Sequence, residues 1–169
     1  MARRIRDLAL FNLAIDSKLR GCDIVKLQVR DVAHSGNAVS RTTVMQQKTA
    51  QPVKFELADQ TREAVEAWIV KAQLTLGQFL FPSRLRVSPH ISTRQYARIV
   101  KKWVALAGLD QSEYGTHTLH RTKATLIYRR TMNLRAVQLL LGHTKLDSTV
   151  RYLGIEVDDA LEMSKQTEV

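Results

Sequence analysis

One cysteine, Cys22, is present among 169 residues, so no disulfide framework can form within the chain, and a reducing compartment suits it. Cys22 reads as a small buried apolar residue. No apolar run approaches the length that crosses a bilayer, and Met1-Ala2-Arg3-Arg4-Ile5-Arg6 lacks the apolar core of an export signal. The expected setting is cytoplasmic. Clustered carboxylates of the kind that hold two metal ions around a phosphate are missing, which speaks against a metal-dependent nuclease or integrase. Repeats and low-complexity tracts are absent as well. What remains has ordinary apolar and charged content, and is long enough for one domain with a real core.

Acidic residues are also in short supply. Sixteen face 26 lysines and arginines, for a formal net charge of +10. The imbalance is uneven: residues 155–169 hold five acids and one base, net −4, which leaves +14 on residues 1–154. Such a surplus suits a polyanionic partner through release of phosphate counterions, although solubility or loose attachment to any acidic surface fits the charge as well.

Helical spacing of Ile5, Leu8, Ala9 and Leu13 predicts a helix over 5–15, with a short helical stretch near 22–26. Leu27, Val29 and Asp31 alternate with polar neighbours, and Ser35-Gly36-Asn37 signals a turn. Strands over 38–46 and around Val53, Phe55 and Leu57 complete an expected three-stranded antiparallel meander, whose second turn spans Lys48–Gln51. Asp59 is a candidate cap for a helix to about Leu76. Ser92 or Thr93 starts the next helix, with Ile99, Val100, Trp103 and Val104 on its apolar side and Gly108 at its end. Arg94, Arg98, Lys101 and Lys102 occupy the opposite side, either along a DNA backbone or as an ordinary solvated face. Thr116 is the expected cap of a helix from His117 to about Arg130, and shorter helices are expected over 133–141, 145–151 and 156–165. The fold class is thus α+β and mainly α-helical, with one small three-stranded sheet.

Five strings stand in order along this frame: Ser17-Lys18-Leu19-Arg20-Gly21-Cys22-Asp23, Gln47-Lys48-Thr49, His117-Thr118-Leu119-His120-Arg121-Thr122, Leu140-Leu141-Gly142-His143-Thr144 and Ser148-Thr149-Val150-Arg151-Tyr152. Each alone is weak. As an ordered set they resemble the motifs of the tyrosine recombinases, the phage-integrase family. That family shows an Arg before a helix with an acid three residues on, then a Lys on a hairpin. His-x-x-Arg, Leu-Gly-His and a Tyr nine residues beyond the last His follow, and His143 to Tyr152 has that spacing. The resemblance implies the recombinase catalytic-domain fold over residues 1–169, with double-stranded DNA as partner, nucleoid association and no cofactor or metal.

Strand exchange without a metal needs an oxygen nucleophile, and a covalent intermediate conserves the bond energy for rejoining. A phenol has a pKa near 10, so neighbouring groups must help generate or stabilise the phenolate, and guanidinium groups suit the charge that grows on phosphorus oxygens. The resemblance assigns Arg20 to the scissile phosphate, with Asp23 orienting Arg20 or its helix. Lys48 would protonate the leaving 5′ oxygen, His117 would assist proton transfer, His143 would hydrogen-bond the phosphate, and Tyr152 would form a 3′-phosphotyrosyl link. Each has a plainer reading. Arg20 can be a surface base paired with Asp23, Lys48 an exposed turn residue, His143 a loop residue, and Tyr152 a half-buried aromatic. His117 and His120, three apart on a helix, can in principle ligate a metal, but no further ligand has convincing spacing.

The chain departs from the family where the second Arg of His-x-x-Arg belongs, since His120 stands there. Imidazole has at most two donors, is largely neutral at pH 7 and cannot make the guanidinium fork. Loss of one such donor typically costs ~3 kcal/mol in the transition state. Arg121 shares the broad helix face but lies about 100° around the axis from position 120. Impaired activity is therefore expected, and a DNA-binding module that keeps the fold without useful catalysis is the alternative. The N-terminal core-binding domain of relatives is expected to be absent. The acidic segment 155–169 places Val157, Ala160, Leu161 and Ser164 at helical spacing, a candidate for self-association on DNA.

Overall fold

The computed structural model describes residues 2–84 and 88–155. Helix α1 (Ala2–Ser17) is the central element, packing most extensively on α4 (Asp59–Ala72) and then on α6 (Thr116–Thr131). Ala9 and Leu13 of the predicted face are fully buried together with Leu10 and Ala14, but Leu8, expected on the same face, is 49% exposed. Between α1 and α4 lie α2 (Gly21–Ile24), α3 (Val29–Val32) and four short strands. Beyond α4 come α5 (Thr93–Leu106), α6, α7 (Leu134–Leu141) and α8 (Leu146–Leu153).

The mainly helical architecture with small antiparallel sheets holds, but the single three-stranded meander does not. Strands β1 (Ala33–His34) and β2 (Asn37–Ala38) form one ladder, and β3 (Arg41–Met45) and β4 (Pro52–Glu56) form another. The β1–β2 turn at Ser35-Gly36 has positive φ at both residues, the geometry that a tight hairpin demands. In the second ladder Thr42 opposes Phe55 and Val44 opposes Val53. Phe55 and Val53 point inward and Lys54 and Glu56 outward, so the period of two is real there.

Residues 27–31 look strand-like for a different reason. Leu27 and Val29 are both buried, but their backbone partners lie in the connection after α4: Val29 N–H donates to Gln78 O (3.0 Å) and Leu80 N–H to Leu27 O (2.7 Å). Asp31 then turns the chain into α3 by accepting from the Gln28 N–H at 2.7 Å. Alternation here reports packing against a loop, not a hairpin.

Helix starts also depart in detail. Ala58, not Asp59, occupies the cap position of α4 without a side-chain cap, and Asp16 at the end of α1 ties this start down instead. Its Oδ2 receives the Ala58 N–H (2.8 Å) and the Thr61 hydroxyl (2.6 Å), and its Oδ1 pairs with Lys123 of α6 at 2.5 Å. Burial opposes ionisation of this carboxyl, but the Lys123, Thr61 and Ala58 donors together hold it below its ordinary value. One buried carboxylate thus joins three helices. Gly115, not Thr116, takes the cap position of α6, whereas Ser92 caps α5 as predicted, accepting the Gln95 N–H at 3.1 Å. Helix α4 ends at Ala72, short of Leu76, with Gln73 left-handed. Cys22 is half-buried. The helix expected over 156–165 lies outside the described residues.

The core divides in two. A large one gathers α1 to α5 and the hairpins, while Ala124, Val137 and Leu141 form a small one beneath α6, α7 and α8. No helix of the described residues is long and apolar enough to cross a membrane.

Candidate active site

Arg20 ends the bend between α1 and α2, in the extended cap position of α2. The bend is shaped by Lys18, which has φ of 55° and donates its ammonium to Asp16 O at 2.8 Å. Burial, and the Lys123 charge with it, push Lys18 down to about 8. Three residues past Arg20, Asp23 is buried but makes no ion pair with Arg20 among the described residues. Its Oδ1 accepts the Gln47 N–H at 2.9 Å, and its Oδ2 is buried without a partner. Gln47 also donates to Cys22 O (3.1 Å) and accepts from Lys26 (2.7 Å). The expected orienting acid is therefore a clasp between α2 and the β3–β4 turn. That turn carries Lys48, which is exposed beside Thr49.

The opposite wall comes from α7 and α8. Gly142 ends α7 with φ of +66°, and a Cβ there would meet Val53 Cγ2 at 2.6 Å, so the Leu-Gly-His corner requires glycine twice over. Gln138 spans that corner: it accepts the His143 N–H on its own carbonyl (3.1 Å), and its side chain donates to His143 O (3.0 Å). The His143 ring meets Thr149 Oγ1 at 3.1 Å through Nδ1. Burial, then the Arg20 charge, lower its proton affinity. One face of α8 presents Tyr152 to the same space.

Between the walls opens a cleft of about 580 Å³ lined by Arg20, Thr49, Gln51, His143, Arg151 and Tyr152, among others. Tyr152 is held edge-on by two imidazoles, with ring centroids 5.1 Å from His120 and 5.4 Å from His143. The Arg121 guanidinium lies 5.4 Å from its ring centroid. The phenol oxygen is buried without a hydrogen-bond partner, and burial pushes it well above its ordinary value, against the opposing charges of Arg121 and Arg20.

His120 is buried at 5% exposure and bonds through Nδ1 to the Lys18 carbonyl. A carbonyl only accepts, so this nitrogen carries the proton, and Nε2 of the neutral ring has none to donate. The ring stays neutral, because burial pushes it down to about 4, against the Lys18 bond and with help from Arg20, His117 and His143.

His117 stands apart. It is exposed, its ring centroid lies 6.4 Å from that of His120, and it lines a neighbouring cavity of about 870 Å³ with Lys101, Arg121 and Arg129. Arg94, Lys101 and Lys102 are exposed along α5, and Arg98 points into a third cleft of about 560 Å³ with Arg6 and Arg84. Lys101 reaches the His117 cavity. The structure therefore brings Arg20, His120, His143 and Tyr152 together, leaves Lys48 exposed in the turn whose Thr49 and Gln51 line the cleft, and leaves His117 one cavity away. No three His, Cys, Asp or Glu among the described residues are placed to hold a metal ion. Sequence reasoning missed Arg151, which lines the cleft beside Tyr152, and Gln46, which is buried beneath it.

A family model described as the phage integrase family matches residues 1–158. A probable integrase/recombinase from Bacillus subtilis, YoeC, is 34% identical over 157 residues, covering 90% of this chain and 80% of that protein. A tyrosine recombinase of Pseudothermotoga lettingae is 31% identical over 151 residues, covering 89% of this chain and 50% of its own length. The chain therefore spans about half of that relative. Among solved structures, the XerH site-specific recombinase in a post-cleavage complex with its difH substrate aligns with a TM-score of 0.78 at 20% identity, covering 97% of this chain and 46% of XerH. The XerA recombinase aligns at 0.76 and 21%, covering 97% of this chain and 57% of XerA. At such identities the likeness is one of fold.

Proposed function

The chain belongs to the phage integrase family of tyrosine recombinases, and from that premise we propose that it acts on double-stranded DNA as a site-specific recombinase through Tyr152. The observation that carries the reading is the convergence of Arg20, His143 and Tyr152 on one cleft from three separated segments. The Tyr152 oxygen attacks phosphorus, the bond to the 5′ oxygen breaks, and a 3′-phosphotyrosyl link forms. The phenol proton leaves with help from the histidines, Lys48 supplies a proton to the departing 5′ oxygen, and rejoining reverses both transfers. Arg20 and His143 stabilise the charge on the nonbridging oxygens. The exposed bases of α5 give a phosphate-binding face.

Activity is impaired at His120. The position that resembles a second phosphate clamp holds a neutral ring whose single proton is already committed to Lys18 O. Arg121 does not substitute, because its guanidinium lies over the Tyr152 ring and it lines the His117 cavity, not the cleft. This also supports the second reading, a DNA-binding module without useful catalysis.

A nicked suicide duplex in excess chelator separates the two. The expected result is little denaturation-resistant adduct from the native chain and about a hundredfold more from His120→Arg, since one transition-state donor is restored. Adduct formation by Tyr152→Phe would overturn the nucleophile assignment. Duplex binding without adduct, in the native chain and in His120→Arg alike, would favour the module.

Self-association on DNA is part of the same proposal. A cleft of about 430 Å³ combines an apolar floor, including Phe55, Ile127 and Leu139, with Lys18, Lys54 and Lys123. Its chemistry complements the acidic, apolar composition of residues 156–169 from a second copy. A chain lacking 156–169 that assembles on DNA unchanged would count against it.

A further inference from the structure

Gln46 is 2% exposed, follows the end of β3 and lies beneath the cleft against Arg20, Thr49 and Leu141. Its Oε1 accepts from Arg20 Nη1 at 3.0 Å and from the Thr49 hydroxyl at 2.8 Å. Its Nε2 faces the carbonyl of Leu141 at 3.4 Å, the last residue of α7 before Gly142-His143. Its backbone N–H donates to Gln51 O and its carbonyl accepts from the Ala50 N–H, both at 2.9 Å, which closes the turn that carries Lys48. The amide orientation follows from chemistry: guanidinium can only donate, so the oxygen must face Arg20 and the nitrogen the carbonyl.

We propose that Gln46 is a positioning residue for strand cleavage, holding Arg20, the Lys48 turn and the His143 corner in one frame. The inference rests on the recombinase reading, because Arg20 matters to cleavage only if a phosphate enters the cleft. Gln46 links the two walls directly, alongside His120, whose ring joins the Lys18 carbonyl to Tyr152. Arg20 and Thr49 belong to the large-core side, and Leu141 belongs to the small one. An arginine on a long stem loses reach and direction when its acceptor goes, and a placement error of about 1 Å can cost on the order of a hundredfold in rate. Gln46 touches no reacting atom and acts through Arg20.

Two arms test this. In the first, the Arg20 Nε–H resonance is followed by ¹⁵N NMR in Gln46→Met and Gln46→Glu. Methionine removes both links, so Arg20 and the Thr49 and His143 amides shift together. Glutamate keeps the acceptor, so the Arg20 resonance stays and only the amides around Gly142 and His143 move. In the second arm, adduct formation is measured in the His120→Arg background. Gln46→Met slows it about tenfold to a hundredfold when Arg20 is present, and less than about threefold in Arg20→Ala, the non-additivity of groups that act together. An Arg20 resonance unmoved in Gln46→Met overturns the proposal. So do equal losses in both backgrounds, which would mark Gln46 as a general structural residue. If His120→Arg forms no adduct at all, the recombinase reading falls, and the NMR arm still decides whether Gln46 holds Arg20.

Discussion

The two walls of the cleft rest on very different foundations. Arg20 and the β3–β4 turn stand on the large core, where Leu10, Leu13, Leu19, Ile24 and Phe55 are at most 2% exposed. Tyr152 and His143 stand on three small or medium residues, Ala124, Val137 and Leu141, with Leu126, Leu139 and Leu146 turned outward at 59%, 64% and 45% exposure. Local stability follows buried apolar contact, so the Arg20 wall should open only with global unfolding and the Tyr152 wall well before it. In the proposed reaction, a phosphate clamp at Arg20 gains from rigidity, whereas a nucleophile at Tyr152 that must enter and leave a covalent bond can tolerate a looser seat.

The largest effect expected is at the chemistry itself. On the proposed mechanism, Tyr152→Phe should abolish adduct formation, while Arg20→Ala should slow it by about a hundredfold or more, because it would remove a charged donor from the transition state. Their stability effects should run differently. The Tyr152 oxygen is buried without a partner, so Tyr152→Phe should leave the melting temperature unchanged or raise it, removing an unsatisfied polar group worth about 1 kcal/mol or more. A clear drop in melting temperature would mean that the hydroxyl has a partner in solution.

Next in size are the two cores. Phe55→Ala should cost about 3–5 kcal/mol in urea unfolding, and Leu141→Ala about 2 kcal/mol, the low end for a site whose neighbours can collapse. Amide exchange gives the sharper form: Leu141→Ala should speed exchange in α7 and α8 while leaving α1 and α4 near their native rates. Uniform acceleration across both regions would break the comparison and make the domain one cooperative unit.

Legibility in the sequence followed the same division. Motifs carried by local backbone demands were readable. Gly142 must be glycine for its positive φ, and His143 and Tyr152 keep a spacing that a turn and a short helix can span. Helices α1 and α5 announced themselves through apolar periodicity. Hidden were the features that exist only after distant segments meet. Asp16 looks like an ordinary acid near a helix end until Ala58, Thr61 and Lys123 arrive to share it. Gln46 is one more polar residue near a lysine until Arg20 and Leu141 close on it. Residues 27–31 misled for the same reason, since their alternation is imposed by the segment 76–80.

His120 sits on the seam between the two regions, and its titration gives the smallest effect. Its Nδ1–H holds the Lys18 carbonyl of the large-core side, and its ring lies against Tyr152 on the other. Its folded value of about 4 lies below the unfolded value of 6.5, so the unfolded chain takes up the proton first as pH falls. The associated stability is complete above about pH 6.5, declines between 6.5 and 4, and levels off below that. From pH 7 to pH 5 the loss should be about 2 kcal/mol. His120→Gln keeps a donor for Lys18 and does not titrate, so its stability should fall less over that interval. Asp16 contributes a separate loss only below its unfolded value of 3.8, outside this window. His143 shifts in the same sense as His120, so His120→Gln should retain part of the slope. Amide exchange at pH 5 then locates the effect. If protonating His120 parts the seam, α7 and α8 of the native chain should open more readily than in His120→Gln, with α1 and α4 unchanged. Identical exchange in the two proteins at pH 5 would show that the walls are held together elsewhere.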